Sequence, residues 1–383
     1  MVKRKRIGLI FSYNENWIAG AYYIMNIIHS LNTLPDKDKP IITILSESIG
    51  NFDIVKNETA YPYLKFFKIP LEIKKYSILN RIINKITLKF FNYKIIKKGH
   101  IQPRLDFVYP SILKKFNYSK VKKTYWIPDF QEDYLPHFFS EEEVIERKTF
   151  QKNVVCNCDL VVFSSVDSQN DFNRLYPNAK PNQFVLNFAV VHPNISEQII
   201  EKLLEKYTLP QQYFFSPNQF WAHKNHAIIL KAIKLLKNKG VDVCIAFSGK
   251  ENDYRNTENF ETLKLFIKEN NLEDNIKFLG FIPREEQLSL MKNSVAIIQP
   301  SLFEGWSTVV EDAIALNKFI ILSNLKVHKE QIDKNVCFFD RNNEKELAII
   351  IEKYLKNSPI ITPINYKKNI EDFANSFIKL INL

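Results

Sequence analysis

Phe303-Glu-Gly-Trp-Ser-Thr-Val-Val-Glu-Asp-Ala-Ile-Ala315 is the stretch that decides the fold of this chain. Before it, Val295-Ala-Ile-Ile-Gln-Pro-Ser301 is a short apolar run stopped by proline, the pattern of a buried parallel strand. From Thr308 onward, apolar residues recur at helical spacing. A strand, a glycine turn and a helix in this order fall at the edge of an open α/β sheet where such folds bind ligands. Gly305 permits the tight turn, and the N–H groups of Trp306, Ser307 and Thr308 at the helix start suit a diphosphate without any lysine. Glu304, just before the turn, is left to accept hydrogen bonds from sugar hydroxyls. At about 100° per residue, Glu311 and Asp312 flank Thr308 on the polar side of the helix. Val309, Val310, Ala313 and Leu316 cover the other side. Either acid is placed to reach a ribose. An acid pair in a first turn is also what the helix macrodipole alone favours.

Working outward, short apolar strands alternate with helical periodicity from Tyr213 on. Strands are expected near 213–217, 242–247, 275–279, 295–299, 319–323 and 336–339. A looser version precedes them. Ile7-Gly-Leu-Ile-Phe-Ser reads as a first strand, followed by a helix through Leu31, and further strands are expected at Ile41 to Leu45, from Thr124, from Leu160 and at Phe184 to Phe188. The chain is thus α/β with two Rossmann-like halves. The first spans 1–195 and the second 205–365, with the break at His192-Pro193-Asn194. In the stretch 366–383, Ile370, Phe373, Phe377, Leu380 and Ile381 share one face, as a closing helix requires.

Ser216-Pro-Asn-Gln-Phe-Trp-Ala-His-Lys-Asn-His226 follows the first strand of the second half and opens a helix. Lys224 at that helix start adds a full positive charge to its N–H groups, which suits a departing diphosphate. His223 and His226 form a His-x-x-His pair without further ligands, which is weak as a zinc site.

The acidic segment resembles the signature of retaining glycosyltransferases of family 4 (glycosyl transferases group 1), of the bacterial surface-glycan type, in which two glutamates are separated by seven residues. Glu304 takes the first place. The eighth residue on is Asp312, with Glu311 one position early. The resemblance implies the GT-B fold, two Rossmann-like domains facing each other across a donor-binding cleft, with the 366–383 helix returning to the first domain. It implies transfer of a sugar from a UDP- or GDP-linked donor to a glycan or lipid-linked acceptor, with Glu304 and Lys224 catalytic and no cofactor or metal.

Further site residues follow from the same likeness. The family places an arginine five residues before the lysine, where this chain has Gln219. Phe278-Leu-Gly-Phe-Ile-Pro283 resembles the strand and turn beside the nucleotide base, with the main chain of Phe281 and Ile282 at the base edge. Ser248-Gly249-Lys250 borders that pocket. Trp17-Ile-Ala-Gly-Ala21 resembles the glycine loop over the donor phosphates, with Gly20 matching. Trp126-Ile-Pro-Asp-Phe-Gln-Glu-Asp-Tyr-Leu-Pro136 matches a segment that carries a histidine after the glutamine; Glu132, Asp133 and His137 are the candidates here for the sugar or acceptor side. Two other functions keep the same residues: a nucleotide-sugar hydrolase or epimerase, and a catalytically silent carbohydrate-binding partner.

Composition fits a folded enzyme, with 383 residues that are 45% hydrophobic and 13% aromatic. Four cysteines in a chain this long make no disulfide framework, and Cys156-Asn-Cys158 lacks the second pair a zinc site needs; a reducing cytoplasm is expected. The basic start followed by Ile7 to Phe11 is too short an apolar stretch for a signal peptide. No apolar run is long enough to span a membrane. Asp36-Lys37-Asp38, an Asp-x-Asp pattern, sits in a Pro-flanked loop and reads as solvated.

The net charge of +11 is concentrated. Residues 65–124 hold 16 Lys or Arg against Glu72 and Asp106, so the rest of the chain is slightly acidic. Within this region 78–98 repeats apolar residues at helical spacing (Leu79, Ile82, Ile83, Ile86, Phe90), with Arg81, Lys85 and Lys89 as a basic stripe. Such a helix suits an anionic membrane surface, here through residues 75–98, and the protein is expected in the cytoplasm, peripheral on the inner face of the cell membrane. A solvated face without a partner is the competing reading. Nucleic acid is disfavoured because the aromatics lie on the apolar face and no recognition motif accompanies them.

Overall fold

The structure, a computed structural model, describes residues 4–14, 18–192, 200–253 and 255–383. Pro193, Asn194 and Trp17, which the sequence reading uses, lie outside the described residues.

In the first domain, β1 (Arg6–Ile10), β2 (Ile41–Ser46), β3 (Leu64–Lys68) and β4 (Phe107–Tyr109) form a parallel sheet in the order β3-β2-β1-β4. A second parallel sheet follows, β5 (Thr124–Ile127), β6 (Leu160–Phe163) and β7 (Asn182–Val185). The two continue one another, because the Trp126 N–H donates to the Pro110 carbonyl at 2.8 Å. Two of these strands have no counterpart in the expected series. β3 carries lysines at both 65 and 68 and forms a sheet edge, where charged side chains are tolerated, and β4 is only three residues long.

The second domain holds β8 (Phe214–Ser216), β9 (Ile245–Phe247), β10 (Ile276–Phe278), β11 (Ile297–Gln299), β12 (Ile320–Ser323) and β13 (Val336–Phe339). They lie in the order β10-β9-β8-β11-β12-β13, all parallel. Counted within the domain this is 3-2-1-4-5-6, the doubly wound order, whose strand sequence reverses between the first and fourth strands. The reversal therefore lies between β8 and β11. Continuous Ile, Val and Phe runs suit strands covered on both faces by helices. Phe214, Ile229, Ile233, Ile298 and Ile321 fill one such layer and are fully buried.

The last helix, Lys367–Asn382, leaves the second domain and packs on helix Ile18–Asn32. Its Phe377 ring stands edge-on to Phe107 and Tyr109, at 6.4 and 5.8 Å between centroids. The helix expected over 78–98 is shorter than its apolar spacing implies. It runs Ile78–Phe91 and stops at Asn92, which takes the left-handed conformation with φ 54°.

Candidate functional site

A cavity of about 1080 Å³ lies between the two domains at the carboxyl ends of their strands. Its walls hold Lys224 from the loop after β8 and Glu304 from the loop after β11, one on each side of the strand-order reversal. Their side chains meet: Lys224 Nζ donates to Glu304 Oε1 at 2.7 Å. Lys224 belongs to a single 3-10 turn, Ala222–Lys224, one step ahead of helix His226–Asn238. Asn225 closes that turn at φ 57° and pins it by donating to the carbonyls of Pro300 and Arg341.

Glu304 Oε1 also accepts from Gln299 Nε2 at 2.9 Å and Ser301 Oγ at 2.7 Å. Burial works against its charge, but the Lys224 charge and hydrogen bond together with the neighbouring imidazoles outweigh it, and the carboxyl pKa falls to about 2. The imidazoles nearby stay neutral, since burial pushes His328 down to about 4 and His226 to about 3, and His223 well below its usual range. The Glu304 carboxylate therefore faces the cleft ionised at any ordinary pH, held against Lys224.

Two glycines are required by close approach. A Cβ on Gly305 would stand 2.5 Å from the Pro128 carbonyl oxygen and 2.9 Å from the Asp129 Cβ, so the loop after β5 in the first domain rests directly on the acidic turn. Gly249 has φ 152° and lies so close to the Asn218 carbonyl that no side chain fits.

The two acids of helix Thr308–Ala315 go to different places. Asp312 lines the cleft. Its Oδ1 accepts from His192 Nε2 at 2.8 Å and pairs with Arg284, while its Oδ2 is buried without a hydrogen-bond partner. Burial opposes its ionisation, and Arg284 with His192 reverses the effect, so its pKa lies below the usual range. Glu311 does not line the cleft. It is buried behind the helix, where Oε1 accepts from Gln331 Nε2 at 2.8 Å and Oε2 from the Tyr366 hydroxyl. Burial raises its pKa to about 7.

Of the remaining expected residues, Gly20, Gln219, Gly249, Phe281, Ile282, Gly305, Trp306 and Thr308 line the cleft. Gly20 does so from the first turn of helix Ile18–Asn32, and not from an open loop. Ser307 is buried away from the cleft, and its N–H is already taken by Gln331 Oε1 at 3.1 Å, so it cannot hold a diphosphate as expected. Glu132, Asp133 and His137 do not line the cleft either. The Glu132 carboxylate turns inward to Gln151 Nε2 at 2.5 Å, Asp133 pairs with Lys148, and His137 lies at the surface against Phe138. The short helix Gln131–Tyr134 turns Glu132 and Asp133 off the cleft, and the 3-10 turn Pro136–Phe138 that follows carries His137.

In their place the first domain offers Asp129, Gln131 and Arg147. Asp129 Oδ1 accepts the Gln131 N–H at 3.1 Å and burial raises its pKa. Arg284 also lines the cleft, at the first position of the helix that Pro283 precedes, and it lies just past the Phe278–Pro283 motif that singles out Phe281 and Ile282. Among the described residues no group of three or more His, Cys, Asp or Glu is arranged to hold a metal ion.

Residues 199–374 match the family model of the glycosyl transferases group 1. O-antigen chain mannosyltransferase RfbU of Salmonella typhimurium is 20% identical over 296 residues, which are 73% of this chain and 78% of that protein. Among solved structures, Anabaena Alr3699/HepE in complex with UDP and glucose superposes with a TM-score of 0.64 at 15% identity, over 99% of this chain and 97% of that one. Sucrose-phosphate synthase from Thermosynechococcus elongatus gives a TM-score of 0.63 at 12% identity, over 99% and 94%. Two Rossmann-like domains facing each other across a ligand cleft are the GT-B architecture. The second domain is a group 1 glycosyl transferase domain, and the protein is a glycosyltransferase.

Proposed function

We propose that the protein is a retaining glycosyltransferase of the family 4 type, moving a sugar from a UDP- or GDP-linked donor to a glycan or lipid-linked acceptor in bacterial surface-glycan assembly. The observation that carries this reading is the Lys224–Glu304 pair, 2.7 Å apart at the strand-order reversal and facing the cleft. A sequence relative named as an O-antigen chain mannosyltransferase and a structural neighbour solved with UDP and glucose support it.

The donor lies with its nucleoside end toward Phe281, Ile282 and Gly249, and the partnerless Asp312 Oδ2 accepts a ribose hydroxyl. The diphosphate lies between Lys224, the N–H groups of Trp306 and Thr308, and Gly20, with Gln219 in place of an arginine. Glu304 Oε2, which makes no hydrogen bond among the described residues, accepts from the sugar hydroxyls. As the bond from the anomeric carbon to the phosphate oxygen breaks, charge grows on that oxygen and Lys224 stabilises it. The acceptor oxygen then bonds to the anomeric carbon on the same face, and its proton passes to the departing phosphate. No side-chain nucleophile or metal is needed for this sequence of events.

The acceptor approaches from the first domain, on the side of Asp129, and the enzyme works in the cytoplasm at the inner face of the cell membrane, against an anionic surface met by residues 75–98. No helix among the described residues is long and apolar enough to cross a membrane.

A thermal-shift panel of UDP, GDP and their sugars tests the reading, since a ligand that binds the native state raises its stability. At least one nucleotide sugar is expected to raise Tm and to be consumed faster with acceptor than with water, in the presence of excess EDTA. No shift with any nucleotide refutes it. Equal consumption with and without acceptor identifies a hydrolase, and magnesium-dependent activity refutes the metal-free assignment.

A further inference from the structure

Between β3 and β4 the chain makes a closed excursion from the sheet. Its neck is held by the Ile101 N–H donating to the Glu72 carbonyl at 2.7 Å and the Lys74 N–H donating to the Gly99 carbonyl at 2.9 Å, with Ile73 and His100 in an antiparallel bridge. Beyond the neck, Ser77 caps helix Ile78–Phe91 by accepting the Asn80 N–H at 3.2 Å, and the chain returns along the helix to Gly99. The return segment is fastened through polar groups. Asn84 donates to the Ile96 carbonyl and accepts the Ile96 N–H, both at 2.9 Å, and the Tyr76 hydroxyl donates to the same carbonyl at 3.1 Å.

The helix is consequently inside out for a water-facing element. Asn84 and Thr87 are its buried residues, at 4% and 7% exposure. Ile78, Leu79 and Phe90 are 78%, 66% and 70% exposed, and Ile82 and Ile86 about half exposed. At about 100° per residue these five share one side of the helix, opposite Asn84 and Thr87. Arg81, Lys85 and Lys89 run along the flank between the two. A contiguous exposed apolar stripe of this kind marks an interaction surface.

The charges select the partner. Residues 72–101 contain Lys74, Lys75, Arg81, Lys85, Lys89, Lys94, Lys97 and Lys98, all exposed, against the single acid Glu72. A second copy of this chain would bring two such clusters together and be repelled. An anionic bilayer offers apolar depth and negative headgroups in one place.

We propose that residues 72–101 are a membrane-inserting finger. Ile78, Leu79, Ile82, Ile86 and Phe90 enter the acyl boundary, while Arg81, Lys85, Lys89 and the lysines of the return segment stay at headgroup level. This deepens the reading of an enzyme at an anionic surface, on which it rests, by making apolar insertion and not charge the anchor.

The test is co-sedimentation of the full chain with phosphatidylcholine vesicles containing phosphatidylglycerol, at low salt and at about 0.5 M salt, where a screening length near 4–5 Å suppresses attraction to headgroups. The wild type is expected to bind at low salt and to stay partly bound at high salt. Ile82→Ser, Ile86→Ser and Phe90→Ser together should cut binding at least tenfold at both, with Tm and the response to nucleotides unchanged, since these side chains are exposed. Complete release by salt with no effect of the serine triple overturns insertion and leaves the electrostatic surface reading standing. No binding to vesicles at any salt overturns both. Concentration-dependent self-association abolished by the triple would make the stripe a protein interface and also overturn the proposal. Vesicle binding without nucleotide binding would refute the transferase reading and leave the finger intact.

Discussion

His192 Nε2 lies 2.8 Å from Asp312 Oδ1, which joins the end of the first domain to the cleft-lining helix of the second. One residue earlier on the same helix, Glu311 reaches the hydroxyl of Tyr366, and that hydroxyl also accepts the Val190 N–H at 2.9 Å. Both places where the chain passes between domains are thus tied to Thr308–Ala315 through adjacent carboxylates. One carboxylate faces the cleft and the other does not.

This division predicts opposite signatures. Asp312→Ala should weaken binding of the nucleotide that shifts Tm by about tenfold or more, the scale of one lost charge-assisted hydrogen bond. Glu311→Ala should change that affinity much less and lower Tm instead, because it leaves the buried Tyr366 hydroxyl without its acceptor and removes one of the two that Gln331 Nε2 has. Titration of both variants with UDP and GDP decides, and the reverse order would exchange the roles of the two acids.

Glu311 also predicts a pH dependence. Its pKa is raised from the carboxylate range to about 7, so the folded protein retains a proton that the unfolded chain has released. Its contribution to stability is complete below the unfolded value near 4.5 and is lost as pH rises through about 7. Relative to Glu311→Gln, which does not titrate, the wild type should lose Tm progressively from pH 5 to pH 7.5 by at least about 2 °C and then run parallel. Parallel melting curves across the whole range would show that the carboxyl does not hold its proton.

For the reacting end, Glu304→Gln should lower turnover at least tenfold, since an amide replaces a carboxylate in the bonds to sugar hydroxyls. Lys224→Ala should depress turnover more than donor affinity, because its task grows as charge reaches the departing phosphate. It also strands a buried carboxylate, so Tm should fall. Lys224→Met combined with Glu304→Gln should recover much of that Tm and none of the turnover. Equal losses in kcat and affinity for Lys224→Ala would make it a binding residue only.

Gly305→Ala tests the approach of the two domains. The added methyl would meet the Pro128 carbonyl at 2.5 Å, so the loop carrying Asp129 must retreat. Turnover should drop by more than tenfold while nucleotide binding, which the proposed function assigns to the second domain, changes little. Unchanged turnover would mean that the observed contact is not part of the working geometry.

The second domain is legible in the sequence because its strands are short apolar runs with turn residues between them, and because Lys224 and Glu304 each follow such a run directly. The first domain is harder to read for physical reasons. β3, Leu-Lys-Phe-Phe-Lys, carries two lysines at a sheet edge, β4 is three residues, and the finger between them exposes what a soluble helix buries. Helical spacing put Glu311 and Asp312 on the same polar side, but it could not show that Gln331 and Tyr366, from elsewhere in the chain, would enclose one of them. Likewise Glu132 and Asp133 look available in an extended segment, and a four-residue helix with Gln151 and Lys148 beside it turns them away.

The return of helix Lys367–Asn382 to helix Ile18–Asn32 has a consequence for biosynthesis. Phe107 and Tyr109 leave the ribosome early, yet the Phe377 ring that covers them is made more than 250 residues later. The domain whose synthesis begins first is therefore completed after the other, and the second domain can form while the first still waits for helix Lys367–Asn382. Truncation near residue 366 should leave every residue of the Lys224–Glu304 pair in place and still yield an aggregating chain, with the fault in the half that was translated first.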